Sequence, residues 1–141
     1  MSEKNNELIE WVQAIVIAFI LSLFIKTFIF EVILVEGCSM KPTLHEKDRI
    51  IVTKLNYKLS KPDRGEIVIF KNPDDMRLNY IKRVIGIEGD RIKIEDGVLY
   101  VNGEPVIEDY VQEPALQDFY EQTVPENTIF VLGDNRNESR D

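Results

Sequence analysis

Two hydrophobic patterns divide this chain. Residues 11–30, WVQAIVIAFILSLFIKTFIF, are apolar on every face of a helix, with only Gln13, Ser22, Lys26 and Thr27 polar. Twenty helical residues rise about 30 Å, the thickness of a bilayer's hydrocarbon core. Trp11 suits one interface, and Lys26 near the other end can extend its ammonium outward. A cleavable leader needs a basic start and a small-residue cleavage site. Residues 1–10 instead carry Glu3, Lys4, Glu7 and Glu10, and no small-x-small site follows the apolar run. The pattern predicts a short N-terminal segment over 1–10 and a retained single-pass anchor over 11–30.

After Phe30 the period falls to two. Residues 31–36 (EVILVE), 49–53 (RIIVT), 66–70 (EIVIF), 80–87 (YIKRVIGI) and 128–132 (TIFVL) are short β-branched runs bounded by Gly, Pro or Asp. Between them RIKIE-DG-VLYV sets Asp96-Gly97 between two strand-like runs, the pattern of a tight hairpin with positive φ in its turn. Asn102-Gly103 marks the next turn. No second amphipathic helix stands out. Residues 31–141 are expected to form one predominantly antiparallel β domain, with a looser acidic stretch over 105–127.

Composition narrows the chemistry. The 141 residues are 44% hydrophobic and carry a formal net charge of −8, a balance that argues against nucleic acid as a partner. A single Cys (Cys38) and a single His (His45) exclude an internal disulfide and a Cys/His zinc site. The charge is uneven: residues 31–93 hold 13 basic and 10 acidic side chains, whereas residues 94–135 hold 10 acidic and no Lys or Arg. A solvated acidic face accounts for the second block. Within it, the acids of residues 104–126 lack the alternating loop spacing and the Gly of a calcium-binding EF-hand.

Three segments carry candidate chemistry. In Gly37-Cys38-Ser39-Met40-Lys41-Pro42-Thr43-Leu44, Pro42 keeps Lys41 out of the helical region. Ser39 is therefore expected in extended or turn backbone at a strand end. In Tyr80-Ile81-Lys82-Arg83-Val84-Ile85-Gly86, alternation puts Tyr80, Lys82 and Val84 on one face, and Ile81, Arg83 and Ile85 on the other. If Tyr80 and Val84 point inward, Lys82 lies among apolar groups, where burial favours the neutral amine that base chemistry requires. Arg83 is then free to find a carboxylate. The third segment, Gly133-Asp134-Asn135-Arg136-Asn137-Glu138-Ser139, reads alone as a polar turn. Cys38 with His45 offers a weaker nucleophile pair, and His45 is read as a turn residue.

Taken in order, Ser-Met-x-Pro-Thr-Leu, Arg64-Gly65-Glu66-Ile67-Val68-Ile69-Phe70, Tyr-Ile-Lys-Arg-Val-Ile-Gly with Gly89-Asp90, and Gly-Asp-Asn-Arg-Asn-x-Ser resemble the successive boxes of type I signal peptidases. They stand in that family's order behind an N-terminal anchor. The resemblance implies a membrane-bound serine endopeptidase that removes signal peptides from exported preproteins after small residues, with neither metal nor cofactor. It assigns Ser39 as nucleophile, Lys82 as general base, and Ser139 as the hydroxyl that orients the lysine. Asp134 and Arg83 become a supporting salt bridge, and Met40, Tyr80 and Ile81 part of the substrate surface. The Ser39 N–H supplies one oxyanion donor, while Gly37 has no hydroxyl to supply another. The implied fold is a barrel-like antiparallel sheet truncated at its C-terminus. Its partners are signal peptides and the lipid bilayer, and its place is the extracytoplasmic side of the cell membrane. Two further classes compete: a catalytically incomplete membrane-tethered module that binds exported chains, and a self-cleaving Ser–Lys repressor-type peptidase. The apolar run over 11–30 counts against the repressor-type peptidase.

Overall fold

The computed structural model describes residues 2–54, 60–73 and 75–141. It is mainly β, with one N-terminal helix and nine antiparallel strands among the described residues. The described chain divides into two compact units, residues 1–33 with 50–60, and residues 34–49 with 61–141.

The first unit is built on α1 (Ser2–Phe28). No Gly or Pro interrupts it, and Lys26 in the last turn complements the negative end of the helix dipole. Within α1, Asn6–Phe28 is long and apolar enough to cross a membrane, and none of that stretch is buried within the protein. The helix extends through the expected N-terminal segment, while Met1 lies outside the described residues. It ends two residues before the expected boundary, and Phe30 already opens a strand. Strands β1 (Phe30–Leu34) and β2 (Arg49–Thr53) form a two-stranded sheet. Lys54 closes it: its N–H donates to Ile29 O (2.8 Å), and its ammonium pairs with Glu31 (3.2 Å).

The second unit holds two sheets. One has the order β3-β4-β9, from β3 (Ile67–Lys71), β4 (Asn79–Ile87) and β9 (Ile129–Leu132). The other has the order β7-β6-β5-β8, from β5 (Arg91–Glu95), β6 (Val98–Val101), β7 (Glu104–Pro105) and β8 (Phe119–Thr123). Hairpin β5–β6 turns at Asp96 (φ 51°) and Gly97 (φ 77°), both left-handed as a tight two-residue turn demands. The core lies where the sheets meet, with Ile85 and Leu132 against Ile92, Ile94, Leu99, Val101 and Val124. Each such side chain contributes roughly 1.5–3 kcal/mol by leaving water.

Strand β8 corrects the reading of residues 105–127 as loose. FYEQT is polar enough to resemble loop, yet Phe119 packs on the core and β8 pairs antiparallel with β5 from Arg91↔Thr123 to Ile94↔Phe119. Its other side chains face water, so no alternating apolar pattern betrays it.

Strand β4 is central, and its two sides are paired over different lengths. Against β3 the register runs from Ile67↔Arg83 to Lys71↔Asn79. Against β9 it begins at Arg83↔Leu132 and continues, past an irregularity, to Ile87↔Ile129. Among the described residues, the β9 side of residues 79–82 therefore carries no strand.

Candidate active site

That uncovered half of β4 forms one wall of a cleft of about 420 Å³. Tyr80, Ile81 and Lys82 come from β4, and Gly37, Cys38, Ser39 and Met40 from the loop after β1. Glu138 and Arg140 complete the rim. The two segments that alternation and the Pro42 constraint singled out thus meet in space.

Lys82 is 2% exposed and one of the largest fully buried side chains among the described residues. An exposed Lys-Arg pair on a strand surface, the alternative for an arbitrary sequence, is excluded by this burial. The ammonium donates to Ser139 Oγ and to Asp141 Oδ1, and the Tyr80 ring centroid lies 5.5 Å from Nζ. Ser139 Oγ in turn donates to Asp141 Oδ1, which also accepts the Gly133 N–H at 2.9 Å. Ser39 Oγ has no hydrogen-bond partner among the described residues, and no direct bond joins it to Lys82. Met40, the next residue in the same cleft lining, is 2% exposed.

The loop bearing Ser39 is clasped by the turn after β9. The Asn135 N–H donates to Ser39 O at 2.9 Å, and its amide Nδ2 to Cys38 O at 3.1 Å. Gly133 permits this approach, since a Cβ there would lie 2.5 Å from Ser39 O and collide with the Ser139 side chain. Thr43 Oγ1 adds a tie by donating to Asp134 Oδ2.

Behind β4, Arg83 grips Asp134 through two parallel bonds, Nε to Oδ1 at 2.9 Å and Nη2 to Oδ2 at 2.7 Å. The Asp134 side chain is fully buried, so the charge has to be paired where it stands. The hydrogen bonds that Arg83 donates to Asp134 raise the Arg83 pKa against the opposing effect of burial. Arg83 Nη1 also donates to Gly65 O at 2.8 Å, and the Tyr110 ring stacks on the guanidinium with its centroid 4.0 Å from Cζ. Tyr110 is held above the ordinary phenol range, by burial first and then by its hydrogen bond to Glu108.

Sequence reasoning missed several of these groups. Asp141, Asn135 and Thr43 lie within or beside the motifs yet bear no chemistry until folded together. Glu108 and Tyr110 sat in the block read as solvated surface. A cue existed: that block has no cation of its own, so a buried acid within it must take one from elsewhere in the chain.

The comparisons agree with this architecture. The family described as "Signal peptidase, peptidase S26" matches residues 8–141. The chain is 43% identical to signal peptidase I of Bacillus licheniformis over 150 residues, covering 99% of this chain and 80% of that one. It is 40% identical to signal peptidase I S of Bacillus subtilis, covering 98% of this chain and 79% of that one. A crystal structure of a signal peptidase I from Enterococcus faecalis superposes with a TM-score of 0.52 at 36% identity, over 58% of this chain and 84% of that one. Motif order, sheet architecture and family match thus converge, and the chain belongs to the signal peptidase family, peptidase S26.

Proposed function

We propose that this chain is a membrane-anchored serine endopeptidase that cleaves signal peptides from exported preproteins through Ser39 and Lys82. The observation that carries the reading is a buried lysine, Lys82, whose Nζ lies against Ser139 Oγ in the cleft that also holds Ser39. A buried lysine in one cleft with a serine free of other hydrogen bonds is one arrangement by which a hydroxyl is activated as nucleophile without metal.

The reaction begins when Lys82, having lost a proton, turns from its ion pair toward Ser39. Its neutral amine takes the Ser39 Oγ proton as Oγ attacks the scissile carbonyl carbon. The tetrahedral oxyanion accepts the Ser39 N–H, which donates to no protein group among the described residues. Lys82 then passes the proton to the departing amine nitrogen as the C–N bond breaks, leaving an ester on Ser39. A water that gives its proton to Lys82 attacks that ester, releases the new carboxyl terminus and restores the Ser39 hydroxyl. Ser139 holds the lysine in place by accepting from it while donating to Asp141.

An extended substrate adds as a strand to the uncovered edge of residues 79–82. Met40, Tyr80 and Ile81 line the adjoining surface, and its shallow apolar shape suits small residues at −1 and −3. The apolar helix Asn6–Phe28 spans the bilayer, with residues 31–141 on the extracytoplasmic side. Full-length protein in detergent, given a preprotein with an Ala-x-Ala site, should cut after the second Ala. Ser39→Ala and Lys82→Ala should each abolish cleavage; cleavage that survives either change refutes the assignment.

A further inference from the structure

The family match and the proposed dyad leave unexplained why the acidic stretch after β7 sends two side chains into the back of the site. Glu108 forms a buried two-bond pair with Arg136, Nη1 to Oε2 at 2.7 Å and Nη2 to Oε1 at 2.5 Å. Arg136 Nε also donates to Gly133 O at 3.2 Å. Tyr110 donates its hydroxyl to Glu108 Oε1 at 2.7 Å while its ring covers Arg83. These contacts make a bridge. One end rests on Arg83, the neighbour of Lys82 in β4. The other end rests on the turn that presents Asp134, Asn135 and Ser139.

The geometry points to Tyr110, held by Glu108 and Arg136, as a positioning residue that fixes Ser139 relative to Lys82. This rests on the Ser39–Lys82 reading above and extends it to a segment outside the motif boxes. Arg83 and Asp134 join β4 to the turn with a planar two-bond pair, whose alignment depends on the guanidinium plane keeping its orientation. The Tyr110 ring stacked on that plane holds it in place, and Arg136 pins the same turn at Gly133. Lys82 and Arg83 are adjacent on a rigid strand. A tilt of the turn against β4 therefore moves Ser139 Oγ and Asp141 away from Lys82 Nζ. The groups facing Lys82 are Ser139, Asp141 and the Tyr80 ring, with Glu138 and Arg140 on the rim of the cleft.

The test uses the full chain in detergent with the Ala-x-Ala preprotein. Tyr110→Ala should lower kcat ten- to hundredfold with KM changed less than threefold, and should move the basic limb of the kcat–pH profile. Tyr110→Phe keeps the ring over Arg83 and should recover kcat to within threefold of the parent. Glu108→Gln, which retains an acceptor for Tyr110 but loses the charge facing Arg136, should fall between them. A second readout needs no turnover: the pH dependence of Lys82 acetylation by a small anhydride, followed by peptide mass mapping, should shift in Tyr110→Ala and not in Tyr110→Phe. The proposal is overturned if folded Tyr110→Ala keeps both the parent kcat and the parent acetylation profile, or if only KM rises. Should Tyr110→Ala fail to fold, the same criteria apply to Glu108→Gln. Failure of the underlying reading looks different, because cleavage would then survive Ser39→Ala or be absent from the parent while the acetylation shift still reports on the bridge.

Discussion

Lys82 and Arg83 are neighbours on β4, yet the two faces of that strand treat their cations in opposite ways. Arg83 is firmly held: Asp134 takes two of its bonds, Gly65 O a third, and Tyr110 covers its plane. Lys82 is hidden from solvent more fully than Arg83, yet it meets one hydroxyl, one carboxylate and the Tyr80 ring at the edge of a cleft. A guanidinium stays charged under all relevant conditions and is suited to a permanent buried pair. An ammonium can give up its proton, so burying it loosely beside a cleft keeps it available for chemistry. On the proposed reading one strand thus carries a structural cation and a reactive one, and alternation keeps the two apart.

Exchanging the side chains breaks the comparison most sharply. Lys82→Arg places a group that cannot become neutral where a base is needed, and should cost about four orders of magnitude in kcat or more, measured as preprotein cleavage. On the other face, Asp134→Asn strands the Arg83 charge and should destabilise the fold by about 3–5 kcal/mol, read from denaturant unfolding. Arg83→Lys keeps a charge for Asp134 but loses the planar two-bond fit and the ring stacking. We expect kcat to fall roughly tenfold, with the protein still folded by circular dichroism.

Two pH effects sharpen the picture at lower amplitude. At the far end of β4, burial pushes the Asp90 carboxyl up, but Arg64, the Ile87 N–H and Asn102 outweigh it and hold the group below its usual range. Its stabilising contribution is present above about pH 4 and is lost as pH falls through the depressed value. Urea midpoints from pH 2 to 6 should therefore slope less steeply in Asp90→Asn. Tyr110 has the opposite sign, since its folded value is raised. The stability it lends is complete below about pH 10 and is lost as pH rises beyond, a slope that Tyr110→Phe should remove.

Much of this molecule is legible in its sequence, and the limits are instructive. The strand runs around Arg49–Thr53 and Arg91–Glu95, and the Asp96-Gly97 turn, follow from local period and local backbone demands. Alternation along residues 80–87 by itself separates Lys82 from Arg83. Phe119–Thr123 does not announce itself, because a strand with one core side chain has no apolar period. The Glu108–Arg136 pair spans 28 residues and Thr43–Asp134 spans 91, and nothing local in either segment specifies its partner. Charge balance alone could have flagged Glu108, since a buried acid needs a cation and its own block has none.

The most direct test of the central claim is to catch the ester on Ser39. Enzyme mixed with an Ala-x-Ala preprotein, quenched in acid and mapped by peptide mass spectrometry, should carry the acyl fragment on the peptide containing Ser39, and Ser39→Ala should carry none. An acyl fragment on Cys38 or Ser139, or one that persists in Ser39→Ala, would contradict the account.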